Sequence, residues 1–169
     1  MKIGTVREVK THEYRIGLTP DCVNTYTNNG HEVYVQSGAG EPAGFDDAEY
    51  LESGGKIIDT AEEIFRTCDM IIKVKEPQPS EYALFREGQI LYTYLHLAAN
   101  QGLTEFLINR KVAGVAYETI ETEKKRLPCL KPMSEIAGRL SVQEGAKYLE
   151  KPFGGRGILL GGVPGVDRG

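Results

Sequence analysis

Apolar positions along the chain fall into short strand-like runs that alternate with stretches of helical spacing. Lys2 to Val6 reads as a first strand and His31 to Gln36, rich in Val and Tyr, as a second. Lys56 to Ile58 is a short third. Met70 to Val74 is a nearly continuous apolar run, as expected of a strand covered on both faces. Gln89 to Leu95 and Val112 to Tyr117 complete the set. Helices fall between them. Thr19-Pro20-Asp21 is a helix start, with a threonine cap, proline at the first helical position and an acid in the first turn, and Asn29-Gly30 is its stop. Asp46 to Glu52 reads as a short helix ending at Gly54-Gly55. Thr60-Ala61-Glu62-Glu63 matches a capping box, followed by Ile64, Phe65 and Cys68 at helical spacing. Tyr82 to Phe85 reads as one helical turn, and Leu103, Phe106 and Leu107 mark a further helix. Strands alternating with helices predict an α/β fold: a mostly parallel sheet, flavodoxin-like, flanked by helices on both faces.

Ser134 to Glu150 reads as one longer helix, weakened by Gly138 and Gly145. Following Pro132-Met133, Ser134 is placed to cap it. Composition shifts after Lys151-Pro152, where the tail FGGRGILLGGVPGVDRG carries seven glycines and only Ile158 to Leu160 has strand character. The expected organisation is therefore an α/β domain over 1–130, a connecting helix over 131–152 and a glycine-rich segment over 153–169.

Bulk properties narrow the function. The chain has 169 residues and a formal net charge of −4, with no basic block, so nucleic-acid binding lacks its electrostatic footprint. No stretch is long and apolar enough to cross a bilayer, and MKIGTVREVK has no apolar signal core; together these predict a cytoplasmic protein. Cys22, Cys68 and Cys129 are an odd, scattered set without CxxC, which argues against a disulfide framework or a metal site.

Ligands of open parallel sheets bind beyond the carboxyl ends of the strands. Arg15 lies in the loop after the first strand, Lys75 and His96 at or just past two others, and Glu118 after a fourth. Arg15 offers a planar fork that matches a carboxylate, Lys75 a compact charge for a second oxygen, and His96 a group that exchanges protons near neutrality. That set suits a small carboxylic acid undergoing acid–base chemistry. Each residue also has a plainer reading: Arg15 as a solvated side chain, Lys75 snorkelling from a strand rim, His96 as a structural histidine between Leu95 and Leu97. Tyr94 reads as a core residue.

Gly38-Ala39-Gly40-Glu41-Pro42-Ala43 fits the letters of a dinucleotide fingerprint. The fingerprint requires a helix to open inside it, and Pro42 and Gly44 interrupt the segment, so a loop with positive φ angles is expected instead. The tail glycines complete no fingerprint either.

Taken in order, MKIGTVREVKTHEYRIGLTP, IIKVKEPQP, YLHLA, PMSEIAGR and YLEKPFGGRGILLGGVPGV closely resemble the alanine dehydrogenases of the alanine dehydrogenase and pyridine nucleotide transhydrogenase family. The likeness runs from Met1 to about Val166 and covers roughly the N-terminal half of the family's usual chain. It implies an NAD-dependent enzyme that interconverts L-alanine with pyruvate and ammonia and is generally hexameric, hence a homo-oligomer. It also implies that 1–130 belongs to the substrate domain. The family's carboxylate-binding arginine matches Arg15, its substrate-contacting lysine Lys75, its acid–base histidine His96. Met133 matches a residue lining the substrate–cofactor cleft, and Ser134 one that contacts the nucleotide. The implied mechanism has Arg15 and Lys75 orient the substrate for hydride transfer, after which His96 helps water add to the imine.

The chain departs from the family in lacking its Rossmann fingerprint, the acid that meets the ribose and a later catalytic aspartate. Residues 1–169 by themselves are therefore expected to show little or no dehydrogenase activity. Two other readings stay open: a non-catalytic substrate-binding or assembly module, and the transhydrogenase nucleotide-binding subunit, which lacks the YLHLA histidine. Saccharopine dehydrogenases are a further relative with a thinner match.

Overall fold

The computed structural model describes residues 1–169, which divide into two compact units, Met1–Thr119 and Ile120–Gly169. In the first unit the elements run β1 (Lys2–Thr5), α1 (Pro20–Asn28), β2 (Glu32–Gln36), α2 (Asp47–Glu52), β3 (Lys56–Ile58), α3 (Ala61–Thr67), β4 (Met70–Ile72), β5 (Ile90–Thr93), α4 (Gln101–Arg110) and β6 (Ala113–Ala116). Local chemistry explains the helix ends. Thr19 caps α1 with Pro20 in the first turn; Asp46 and Glu49 form a reciprocal capping box on α2; the Thr60 hydroxyl accepts from the Glu63 amide at the start of α3.

The six strands form one sheet, all neighbours parallel, in the order β3-β2-β1-β4-β5-β6. Without the three-residue edge strand β3 this is the flavodoxin order; with it, the sequence of strands is that of the other doubly wound class. Side chains alternate across the pleat. Ile3, Val33, Val35 and Ile72 pack with Val23 of α1 and Tyr50 of α2 on one face, while Ile71 and Leu91 pack with Ile64 and Phe65 of α3 and Leu103 and Leu107 of α4 on the other. Gly4 belongs to the second face because a Cβ there would lie 2.4 Å from Ile64 Cγ2.

Four strands stop short of their sequence limits. β1 ends at Thr5, β4 at Ile72, β5 at Thr93 and β6 at Ala116. Single backbone bonds continue past β4 and β5, from the Lys73 amide to the Tyr92 carbonyl at 3.0 Å and from the Tyr94 amide to the Val74 carbonyl at 3.3 Å. Val74 and Tyr94 thus lie just beyond the strand ends, at the sheet's carboxyl edge.

The second unit holds α5 (Lys131–Tyr148), which begins three residues before Ser134. Ser134 is thus inside the first turn and is not the cap. Pro132 needs no amide partner there, so the helix starts ahead of it, and the Ser134 hydroxyl donates back to the Leu130 carbonyl at 3.3 Å. The strand expected over Ile158 to Leu160 does not form. Gly154, Gly157 and Gly162 adopt positive φ around it, and the Gly157 and Ile158 amides donate to the Leu149 carbonyl at the end of α5. The tail closes the helix instead of extending a sheet.

Candidate functional site

The chain winds outward from β1 to β2 and β3, then crosses back to β4, β5 and β6. The loops after β1 and β4 therefore part in opposite directions and leave a crevice at their carboxyl ends. A cleft of about 350 Å³ occupies that position, lined by Arg15, Gly17, Phe45, Lys73, Tyr94 and Tyr117, among others.

The loop after β1 reaches this place because it crosses β4 at close range. A Cβ on Gly17 would lie 2.5 Å from the Ile72 carbonyl oxygen, a separation only glycine permits. The buried Thr5 hydroxyl donates to the same carbonyl at 2.9 Å. Two residues earlier, Arg15 is about two-fifths exposed at the rim. Its Nε and Nη2 donate to the two carboxylate oxygens of Glu13 at 2.7 and 2.5 Å, and its backbone amide donates to Glu13 Oε1 at 3.0 Å. That bidentate bond holds the Glu13 carboxyl below the ordinary carboxylate value, with a further contribution from the Lys75 ammonium, and raises Arg15 in turn.

Lys75 follows the cleft-lining Val74 and is partly buried; its carbonyl accepts from the Thr93 hydroxyl at 3.0 Å. Its charge and that of Arg15 act on the same carboxylate, that of Glu13. His96 lies elsewhere on the rim. It faces a neighbouring hollow of about 380 Å³ with Leu97, Ala99, Glu118 and Thr119. Tyr94 stands between the two hollows: it lines the cleft with Arg15 and stacks on the His96 ring at 6.2 Å between centroids, 14° from parallel. His96 adopts the left-handed conformation, φ 50° and ψ 38°, unusual for a residue with a side chain. Glu118 holds it there: Oε1 accepts the Leu95 and His96 amides at 3.0 and 2.7 Å. Glu76 adds a second charge: burial works to raise its carboxyl, but the Lys10 ion pair and the nearby His96 outweigh this and lower it.

So the structure places Arg15, Lys75 and His96 on one edge of the sheet but not in one hollow: Arg15 lines the cleft, His96 lines its neighbour, and Lys75 lines neither, following the cleft-lining Val74. Tyr94 is the correction to the sequence reading: it ends outside β5, half-buried, and its ring belongs to the site. Sequence reasoning also missed Glu13, Glu8 and Lys73. One signal was legible, since a lysine inside the apolar run MIIKV demands a buried counter-charge. Met133 and Ser134 lie in the second unit, in the first turn of α5; Ser134 borders a hollow of about 770 Å³ with Lys125, Arg126 and Lys131.

No dinucleotide cradle forms at Gly38–Ala43. The Gly38–Ala43 segment closes as a 3-10 turn over Glu41–Ala43, and α2 opens only at Asp47. The Gly38 amide that a phosphate would need is taken by the Asp47 carboxylate at 2.8 Å. An acid in that position repels pyrophosphate.

The fold and its crevice define a doubly wound α/β domain with a cleft at its switch point that Arg15 helps to line. The model for the alanine dehydrogenase/PNT N-terminal domain matches residues 4–137, and the chain belongs to that family. It is 53% identical over 167 residues to an alanine dehydrogenase of Methanococcus maripaludis, covering 99% of this chain and 45% of that protein. Alanine dehydrogenase 2 of Staphylococcus aureus is 51% identical over 169 residues, again with 45% of its length covered. Among solved structures, an L-alanine dehydrogenase superposes with a TM-score of 0.88 at 49% identity, covering all of this chain and 46% of that one. A transhydrogenase from Sinorhizobium meliloti gives 0.66 at 22% identity over 70% of this chain, a likeness of fold. The chain thus spans about half the length of the relatives it matches.

Proposed function

We propose that this chain is the substrate-holding part of an NAD-dependent L-alanine dehydrogenase, which interconverts L-alanine with pyruvate and ammonia. The observation that carries the reading is the Arg15 fork, already closed on a carboxylate in the crevice. Glu13 stands in for the carboxylate of a small acid, with the charge and planar geometry that guanidinium selects. Arg15 takes the substrate carboxylate, Lys75 orients the keto or amino group, and His96 exchanges a proton as water adds and ammonia departs. The hydride acceptor would be NAD, which supplies the redox chemistry when bound. By itself the chain binds the acid without turning alanine over.

Met133 and Ser134 keep the cleft-lining and nucleotide-contacting roles that the resemblance implies and enter no step here. The domain assignment 1–130, 131–152 and 153–169, a homo-oligomeric (hexameric) assembly and a cytoplasmic location belong to the same proposal. A second reading, a binding or assembly module without catalysis, is favoured by one observation: the acid site lies wholly in the first unit, without a dinucleotide cradle.

Calorimetry of the chain with pyruvate and with NAD separately tests the reading. Pyruvate binding that is lost in Arg15→Ala, without NAD binding, supports it. Equal pyruvate binding in both proteins, or none in either, contradicts it.

A further inference from the structure

Behind the cleft lies a buried ionic group that the roles above leave unexplained. Lys73 is fully buried, with its ammonium 3.2 Å from Glu8 Oε2 and 2.8 Å from Glu81 Oε1. Both glutamates are buried as well. Three desolvated charges are a poor way to stabilise a core, since apolar residues of the same volume do as well or better. Burial lifts the Glu8 carboxyl above its ordinary value in spite of Lys73. The group therefore calls for a purpose besides cohesion.

Its hydrogen bonds point to one. Glu8 Oε1 accepts the Val74 amide at 2.6 Å, and the neighbouring Lys75 amide adds a weaker pull that favours the Glu8 carboxylate. Glu81 Oε2 accepts the amide of Gln78 at 2.8 Å. Residues 74–78 are thus gripped at both ends by carboxylates whose other oxygens share one ammonium. Thr93 fixes the Lys75 carbonyl between them. Lys75 projects from a backbone pinned on each side, although its own charge sits at the rim.

We propose that Glu8, Lys73 and Glu81 form a positioning device that fixes the backbone of residues 74–78 and thereby aims the Lys75 ammonium at a small keto acid held by Arg15. Glu8 is its central member because it is the one of the three that lies on the loop carrying Arg15; the Lys10–Glu76 ion pair ties the same two segments nearer the surface. The inference rests on the small-acid reading for the identity of the ligand, but its structural part stands apart from any ligand.

The test uses the 169-residue chain, with amide hydrogen exchange and a pyruvate titration both followed by NMR. Glu8→Ala is expected to speed exchange of the Val74 and Lys75 amides by about tenfold or more, leave Val33 and Ile64 unchanged, and weaken pyruvate binding about tenfold. Glu8→Gln keeps an acceptor oxygen and leaves Lys73 paired with Glu81, so both properties return to within about threefold of the parent. Should Glu8→Ala not fold, Glu8→Asp carries the test: its charge still meets Lys73, but its shorter arm cannot reach the Val74 amide as well, and Val74 loses protection. Parent-like exchange at Val74 and Lys75 in Glu8→Ala, or in Glu8→Asp, overturns the proposal whatever pyruvate does. Loss of pyruvate binding in Arg15→Ala but not in Glu8→Ala overturns the triad's role alone. A parent chain that shows no pyruvate shifts refutes the small-acid reading, and with it the purpose assigned here.

Discussion

Glu13 holds its carboxylate in the guanidinium fork of Arg15, with N–O separations of 2.7 and 2.5 Å, at the mouth of the crevice. In the proposed reading, the side chain that receives a substrate carboxylate already carries an internal one, which competes with a small acid for the fork. Because Arg15 is partly exposed, the pair is screened and contributes modestly. Glu13→Gln removes the competing charge, and pyruvate affinity measured by calorimetry is expected to rise about two- to fivefold. Unchanged or weaker affinity would show that Glu13 helps to hold the ligand instead of competing with it.

Gly17 carries the loop across β4 with no room for a methyl group, since a Cβ would meet the Ile72 carbonyl at 2.5 Å and the Thr5 hydroxyl at 2.9 Å. Gly17→Ala is expected to cost about 1–3 kcal/mol of stability through overpacking, read from urea unfolding. It also shifts the Arg15 loop, so pyruvate affinity falls in the same variant. Parent-like stability would mean that the loop yields more readily than its contacts indicate.

Alkali should unfold the first unit from its core. Burial pushes the Cys68 thiol from 9.0 up to about 12 and the Tyr50 phenol from 10.0 up to about 12. Both groups hold their protons more tightly folded than unfolded. The stability they contribute is complete below about pH 9, where the unfolded thiol begins to ionise, and is lost as pH rises through about 12. Thermal melts between pH 8 and 12 are expected to be flat at first and then fall, and Cys68→Ala should soften the early part of the decline. A melting temperature independent of pH to the end of that range would contradict the assignment.

His96 is exposed and projects from a backbone position that Glu118 secures. His96→Ala should leave stability within about 0.5 kcal/mol. In a dehydrogenase-length protein that begins with these residues, the same change is expected to abolish alanine oxidation. Normal turnover there would remove His96 from the chemistry.

Much of this arrangement was legible in the sequence. Short apolar runs located all six strands, and Thr19 and Thr60 marked helix starts through their capping chemistry. Pro42 and Gly44 showed why a dinucleotide fingerprint in letters is not one in space. What stayed hidden depended on tertiary partners. Tyr94 looked like a core residue because alternation cannot tell where a strand stops, and it stops at Thr93. Ser134 looked like a cap because proline before it is equally at home inside a first turn. The partnership of Glu8 with Lys73 spans 65 positions of chain that no local pattern connects.

The central claim is that Arg15, Lys75 and His96 serve one ligand, although the last faces an adjoining hollow across Tyr94. An NMR titration of the chain with pyruvate, observing the Arg15 Nε–H, the Lys75 ammonium and the His96 ring together, tests it most directly. All three signals are expected to move along a single binding curve, and Arg15→Ala to abolish the shifts at the other two. Movement at Arg15 with Lys75 and His96 unaffected would contradict it.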